Sequence, residues 1–192
     1  SIVSESERIS RLINNILDLE KLATGKEKLD LQKNSIFETV KKSINAVYQI
    51  AANNGIEINV SGLIDVEFLY DEDRIQQVLI NLLSNAIKFS PKETGVVSIF
   101  SYLDNNKVEI SVEDSGKGID VNDFISIFNK FYKSKNQTIL KPVGSGLGLA
   151  ISKQIIESHN GKIWAENIKP QGARITFRLP FNTIKDEKDI DS

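Results

Sequence analysis

Apolar residues recur at helical spacing in four stretches of this chain and alternate with polar ones in several shorter stretches. Ile2, Ile9, Ile16 and Ala23 fall seven apart, with Leu12 and Leu19 between them and Ile13, Leu17 and Leu22 widening the stripe; Glu5 takes the remaining inner slot. The spacing predicts one exposed helix over residues 1–24. Its stripe needs either a partner helix or a docking surface on its own domain. Gly25 ends the helix where a C-cap belongs. Leu29 and Leu31 alternate with polar residues and predict a short strand. Ser35 and Glu38 form a capping box opening a helix whose buried face is Phe37, Val40, Ile44, Val47, Tyr48 and Ala51, closed by Gly55.

Strands follow near residues 56–60 and 66–70, then a long helix over 72–89. Residues 96–103 and 107–113 flank Asp104-Asn105-Asn106, a hairpin signal. A short helix near 121–128 leads into an irregular Lys-rich stretch. Glycines at 144–148 open a third long helix ending at His159, and two strands follow at 163–166 and 173–179. Residues 182–192 read as a polar tail. The pattern is that of a mixed α/β domain preceded by a coiled-coil-like helix.

Composition narrows the chemistry. There is no cysteine, so no thiolate nucleophile, disulfide or Cys-ligated zinc, and a single histidine excludes a multi-His metal site. Net charge is −2, which gives no basic field for nucleic acid. No apolar run is long enough to span a membrane. Methionine is absent even at the start, so the chain reads as a piece of something longer.

Three segments carry candidate chemistry. On the 72–89 helix, Asn81, Asn85 and Lys88 fall within about 60° of one another beside a complete core stripe. They are either a metal–phosphate site, with an amide oxygen suited to Mg²⁺ and an ammonium for phosphate, or two solvated amides on an amphipathic helix. Asp114-Ser-Gly-Lys-Gly118 ends a strand; it is a pocket floor able to accept from an amino group such as that of adenine, or a plain glycine turn. Gly144-Ser-Gly-Leu-Gly148 precedes a helix, where backbone amides can hold phosphate, or the glycines are a hinge. It fits neither a Walker A loop nor a Rossmann or kinase glycine loop.

In this order and spacing, the segments resemble the catalytic ATP-binding domain of bacterial sensor histidine kinases. Asn81 to Phe89 (NLLSNAIKF) is similar to the N box, and Asp114 to Gly118 to the first glycine box. Phe128 to Phe131 (FNKF) resembles the F box, Gly144 to Gly148 the second glycine box, and Gly172 to Phe177 (GARITF) the last glycine-then-strand element. Residues 6–31 resemble the second helix of the dimerisation domain and its exit.

The resemblance implies an α/β two-layer sandwich: a mixed sheet with three long helices on one face, preceded by the coiled-coil-like helix. Its domains would be 1–24, part of the dimerisation domain, 25–181, the catalytic domain, and the tail. The cofactors would be ATP and Mg²⁺. Asp114 would accept the adenine amino group, Asn85 would ligate Mg²⁺, and Asn81 and Lys88 would contact phosphate or metal. Phe89, Gly116, Gly118, Ile119, Phe131, Lys133, Gly144, Ser145, Gly146, Leu147, Gly148, Leu149 and Thr176 would complete the nucleotide site. Residues 129–147 would form a lid started by Phe128 and Phe131, with Lys130, Lys133 and Lys135 as phosphate or partner contacts.

The implied activity is transfer of the γ-phosphoryl group to a histidine on a dimerisation domain. The implied partners are that domain, a cognate response regulator and a second copy through residues 1–24, with no nucleic acid. The implied location is cytoplasmic, in a parent protein that could be membrane-anchored. Gyrase, MutL and heat-shock ATPases share the nucleotide fold, but a glutamate activates water in them where this chain has Asn81, and an amide cannot act as a general base. The family's phosphorylated histidine precedes the second dimerisation helix; His159 lies elsewhere and reads as structural. An anti-sigma-type serine kinase and a nucleotide-sensing module without transfer are the alternatives.

Overall fold

The computed structural model describes residues 2–133 and 146–181. Helix α1 (Ile2–Ala23) is followed by β1 (Gln32–Ser35), α2 (Ile36–Asn53), β2 (Glu57–Ser61), β3 (Glu67–Tyr70), α3 (Glu72–Phe89), β4 (Val96–Asp104) and β5 (Lys107–Glu113). Two 3-10 turns, Val121–Asp123 and Ser126–Phe128, precede α4 (Gly148–Ser158), β6 (Lys162–Asn167) and β7 (Ala173–Pro180). A five-stranded sheet runs β2-β4-β5-β7-β6, with only the β2–β4 pair parallel, and β1 pairs with β3 in a separate two-stranded ladder. The expected mixed sheet covered by three helices is present.

Strand register decides which side chains meet the helices. Ile99 pairs with Val112, Val112 with Ile175, and Ile110 with Phe177, so this parity forms the buried face. It packs against Val40, Val47, Leu79, Leu83, Ile151 and Ile155 in one continuous core. The other parity faces outward and is covered by polar pairs: Arg174 with Glu113 and Glu166, and Arg178 with Glu109. The guanidinium groups also lie over Phe100 and Trp164. α3 forms over the expected residues, its first turn capped by the Asp71 carboxylate accepting from the Arg74 N–H at 3.2 Å.

Several elements differ from the sequence reading. The first strand lies at Gln32–Ser35 rather than around Leu29 and Leu31, because this polar segment is held by pairing with β3 and not by its own alternation. The buried face of α2 includes Ile36, Thr39 and Ser43, while Tyr48 is exposed. Thr39 and Ser43 are small and satisfied: the Thr39 hydroxyl meets the Tyr70 hydroxyl at 2.6 Å, and Ser43 donates to the Thr39 carbonyl. The Ser35 hydroxyl caps Glu38 N–H, but the Glu38 carboxylate turns to Lys41 rather than completing a capping box.

Helix α1 is only partly free. Leu19 and Leu22 are buried and Leu12 packs on the same core, with α4 as the neighbouring helix. Ile2, Ile9, Ile13 and Leu17 remain exposed. The helix therefore docks on its own domain through its C-terminal half. The expected polar tail lies outside the described residues.

Candidate nucleotide site

A cavity of about 490 Å³ opens between α3, the ends of β5 and β7, and the start of α4. That size suits a small-molecule ligand. Its walls are largely apolar: Leu82 and Ala86 from α3, Val112 from β5, and Ala173 and Ile175 from β7. Asp114 stands at their edge, immediately after β5. Its Oδ1 accepts from the Gly116 N–H at 2.8 Å and the Ala173 N–H at 3.3 Å, which fixes the carboxylate and leaves Oδ2 for a ligand. Burial raises the Asp114 pKa, and the two backbone N–H groups offset part of that rise.

Asp114 depends on glycines around it. A Cβ on Gly116 would collide with the Phe89 carbonyl, and one on Gly172, at φ +119°, with the Asp114 carbonyl. Gly148 is similarly constrained, since a Cβ there would run into the Asn81 carboxamide. Asn81 in turn donates to the Ser152 hydroxyl at 2.8 Å, tying α3 to α4. Ser35 and Asp71 cap α2 and α3, whereas no side chain caps α4. The amides of the α4 first turn thus meet the cavity at the positive end of the helix dipole.

Most of the expected site residues converge here. Asn81, Asn85, Lys88 and Phe89 line the cavity from α3, Gly118 and Ile119 from beyond Asp114, and Lys133, Gly146, Gly148 and Leu149 from the α4 side. Burial, with a further contribution from the Lys133 charge, lowers the Lys88 pKa, so an anion beside Lys88 would favour its charged form. Gly144 and Ser145, with Lys135 and most of the expected lid, lie outside the described residues.

Four expected residues do not line the cavity. Gly116 supports Asp114 from behind, and Leu147 is wholly buried in the core. Phe131 is exposed, its N–H bonded to the Gly146 carbonyl at 2.8 Å. Thr176 requires a correction: it sits on the outward parity of β7, hydrogen-bonded to Ser111 at 2.8 Å, and its neighbour Ile175 reaches the cavity instead. Sequence reasoning also missed Asn15, Lys117 and Tyr132, which line the cavity. The two apolar strand residues had a usable signal, since with Phe177 in the core, strand alternation puts Ala173 and Ile175 on the helix side.

His159 is sealed. It is 2% exposed; Nδ1 meets the Ile155 carbonyl at 2.8 Å, and Nε2 accepts the Asp71 N–H at 3.1 Å, which joins the end of α4 to the cap of α3. Burial holds its pKa below the usual 6.5, against smaller opposing effects of the Ile155 carbonyl and Asp71. The unfolded chain therefore takes up a proton that the native chain refuses. This contribution to stability is complete above pH 6.5 and is lost as pH falls through the native value. His159→Leu should cost about 2 kcal/mol by orphaning the Asp71 N–H, and should flatten that acid dependence. Denaturant titrations at pH 5.5 and 7.5 check both.

Residues 70–183 match the family described as histidine kinase-, DNA gyrase B- and HSP90-like ATPases. The chain belongs to this family. Within it, the similarity is to sensor histidine kinases. Sensor protein kinase WalK of Staphylococcus aureus is 34% identical over 95% of this chain and 44% of its own length. WalK of Staphylococcus haemolyticus is 35% identical over 95% of the chain and 30% of its own. The chain thus spans less than half the length of these curated relatives. Full-length ShkA in complex with AMPPNP superposes with a TM-score of 0.79 at 28% identity, over 94% of this chain and 37% of that one. Histidine kinase ThkA in complex with response regulator TrrA gives 0.76 at 28%, over 96% and 51%. This histidine-kinase-type domain is an ATP-binding catalytic domain.

Proposed function

We propose that the chain holds Mg-ATP and presents its γ-phosphoryl group to a histidine on a dimerisation domain. The observation that carries this reading is Asn81. Among the described cavity-lining residues the carboxylates are Asp114 and Asp120, and none lies on α3, where a water-activating base would stand. The Asn81 amide is instead committed to Ser152. A site without a base at that position can still support transfer, because phosphoryl transfer rests mainly on positioning and charge stabilisation while the acceptor supplies the attack.

Asp114 would take the adenine amino group and the apolar strand residues its ring. No cluster of three His, Cys, Asp or Glu side chains exists among the described residues. Mg²⁺ would instead be held by the Asn85 amide oxygen, which lines the cavity, together with phosphate and water oxygens. Bound there, Mg²⁺ would neutralise phosphate charge. Lys88 and Lys133 would add to that neutralisation, and the α4 amides would hold the remaining oxygens.

The same reading makes residues 1–24 part of a dimerisation domain capable of homodimer contact and 25–181 the catalytic domain. It makes a response regulator the downstream partner, as the ThkA–TrrA complex supports. A cytoplasmic location in a membrane-anchored parent belongs to the same proposal; no helix among the described residues is long and apolar enough to cross a membrane. The experiment is incubation of the chain alone with γ-labelled ATP and Mg²⁺. It should bind nucleotide, release no phosphate above background and acquire no label. Rapid release would restore a hydrolase reading, label on serine would favour the serine-kinase alternative, and label on His159 would refute its structural role.

A further inference from the structure

Helix α1 contributes more than an apolar ridge. Its docked face is Leu12, Asn15, Leu19 and Leu22, spaced three and four apart, and Asn15 is the polar interruption. Asn15 is half-buried and lines the nucleotide cavity. A carboxamide on a docking face costs stability unless it finds hydrogen bonds. Among the described residues the Asn15 side chain makes none, and it is left partly open to the cavity.

Its position is fixed by the contacts that follow it in the chain. One turn on, the Arg74 guanidinium reaches Asp18 at 4.0 Å while pairing with Glu27 at 2.6 Å, which straps α1 and the following segment to α3. Lys130 pairs with Glu20 at 3.7 Å. Leu19 and Leu22 anchor the helix in the core below.

We propose that Asn15 is a nucleotide contact supplied by α1, so that nucleotide occupancy and α1 docking stabilise each other. The inference rests on the ATP reading of the cavity. α1 packs along α4, whose first turn lines the cavity, so Asn15 belongs to the α4 side of the site. A carboxamide, with two donors and an acceptor, suits the hydroxyl and phosphate oxygens of a nucleotide. Linkage then makes the coupling reciprocal: whatever factor α1 docking adds to ATP affinity, ATP adds to docking. A signal that lifts α1 from α4 therefore lowers affinity for ATP without touching α3 or Asp114.

The test is a calorimetric cycle with Mg-ATP on the full chain, Asn15→Ala, Leu19→Ser and the double variant. Each single change should weaken binding about fivefold, and the double no further, because undocking already removes Asn15 from the site. Asn15→Ala should leave the nucleotide-free chain as stable or slightly more so, since alanine is the better helix former. The chain has no cysteine, so Ser10→Cys and Glu157→Cys can carry a spin-label pair. Mg-ATP should narrow the α1–α4 distance distribution, and should fail to do so once Asn15 is alanine. Unchanged affinity in Asn15→Ala, additive effects in the double variant, or a distribution indifferent to nucleotide would each overturn the inference. Absence of ATP binding by the unaltered chain would overturn the reading of the cavity itself, and the inference with it.

Discussion

Asp114→Asn is expected to lower ATP affinity about a hundredfold and to move the base preference toward GTP. The geometry dictates the direction. Oδ1 is already engaged by the Gly116 and Ala173 N–H groups. An asparagine would keep its carbonyl oxygen on those donors and turn its NH₂ toward the ligand. That donor would face the adenine amino group, another donor, whereas guanine offers a carbonyl. The backbone around residue 114 retains its hydrogen bonds, so folding survives and the loss is one of recognition. Titrating ATP and GTP into both proteins measures it, and an unchanged ATP-to-GTP ratio would remove Asp114 from the adenine site. The wild-type pH profile adds a second check. The carboxylate is the binding form and burial raises its pKa, so ATP affinity should fall on acidification at a higher pH than for an ordinary aspartate. The asparagine variant should lack that fall.

The second large effect is at Asn85. Asn85→Ala should reduce Mg-dependent ATP affinity by about ten- to a hundredfold, the range seen when support for a bound metal is removed. The same change should leave the nucleotide-free protein unharmed or stabilise it by about 0.5 kcal/mol, because alanine replaces a poor helix former in α3. A residue kept for packing would lose stability when truncated. A rise in melting temperature with a loss of Mg-ATP binding is therefore the signature of a ligand-serving side chain. Equal affinities with and without the amide, measured by calorimetry in Mg²⁺, would end the metal assignment.

What was legible in the sequence follows from how local each constraint is. α3 was readable to its ends because an apolar stripe, an acidic cap and its flanking strands all agree. The β4–β5 hairpin was readable because Asn105 and Asn106 form its two-residue turn between Asp104 and Lys107, with Asn105 at positive φ. The place of Asp114 at the strand end was readable from the glycines that follow it, although these also serve the turn, with Gly118 at positive φ.

The misreadings had non-local causes. β1 has no apolar residue and exists only through β3. Thr39 enters the core because Tyr70, distant in sequence, supplies a partner, and Ser43 because its hydroxyl donates to the Thr39 carbonyl. Thr176 was placed by motif position, although alternation from Phe177 already puts it on the outer face. Asn15 could not be seen at all. Its place in the site depends on which surface the Leu12, Leu19 and Leu22 side of α1 docks against, and the heptad spacing does not carry that.

The central claim is that this site delivers a phosphoryl group rather than hydrolysing ATP. The direct measurement supplies a separately purified dimerisation domain carrying its histidine to the chain, with γ-labelled ATP and Mg²⁺. Acid-labile, alkali-stable label on that histidine, absent with Asp114→Asn and without the chain, is the predicted result. Steady release of inorganic phosphate with no label on the histidine would contradict it.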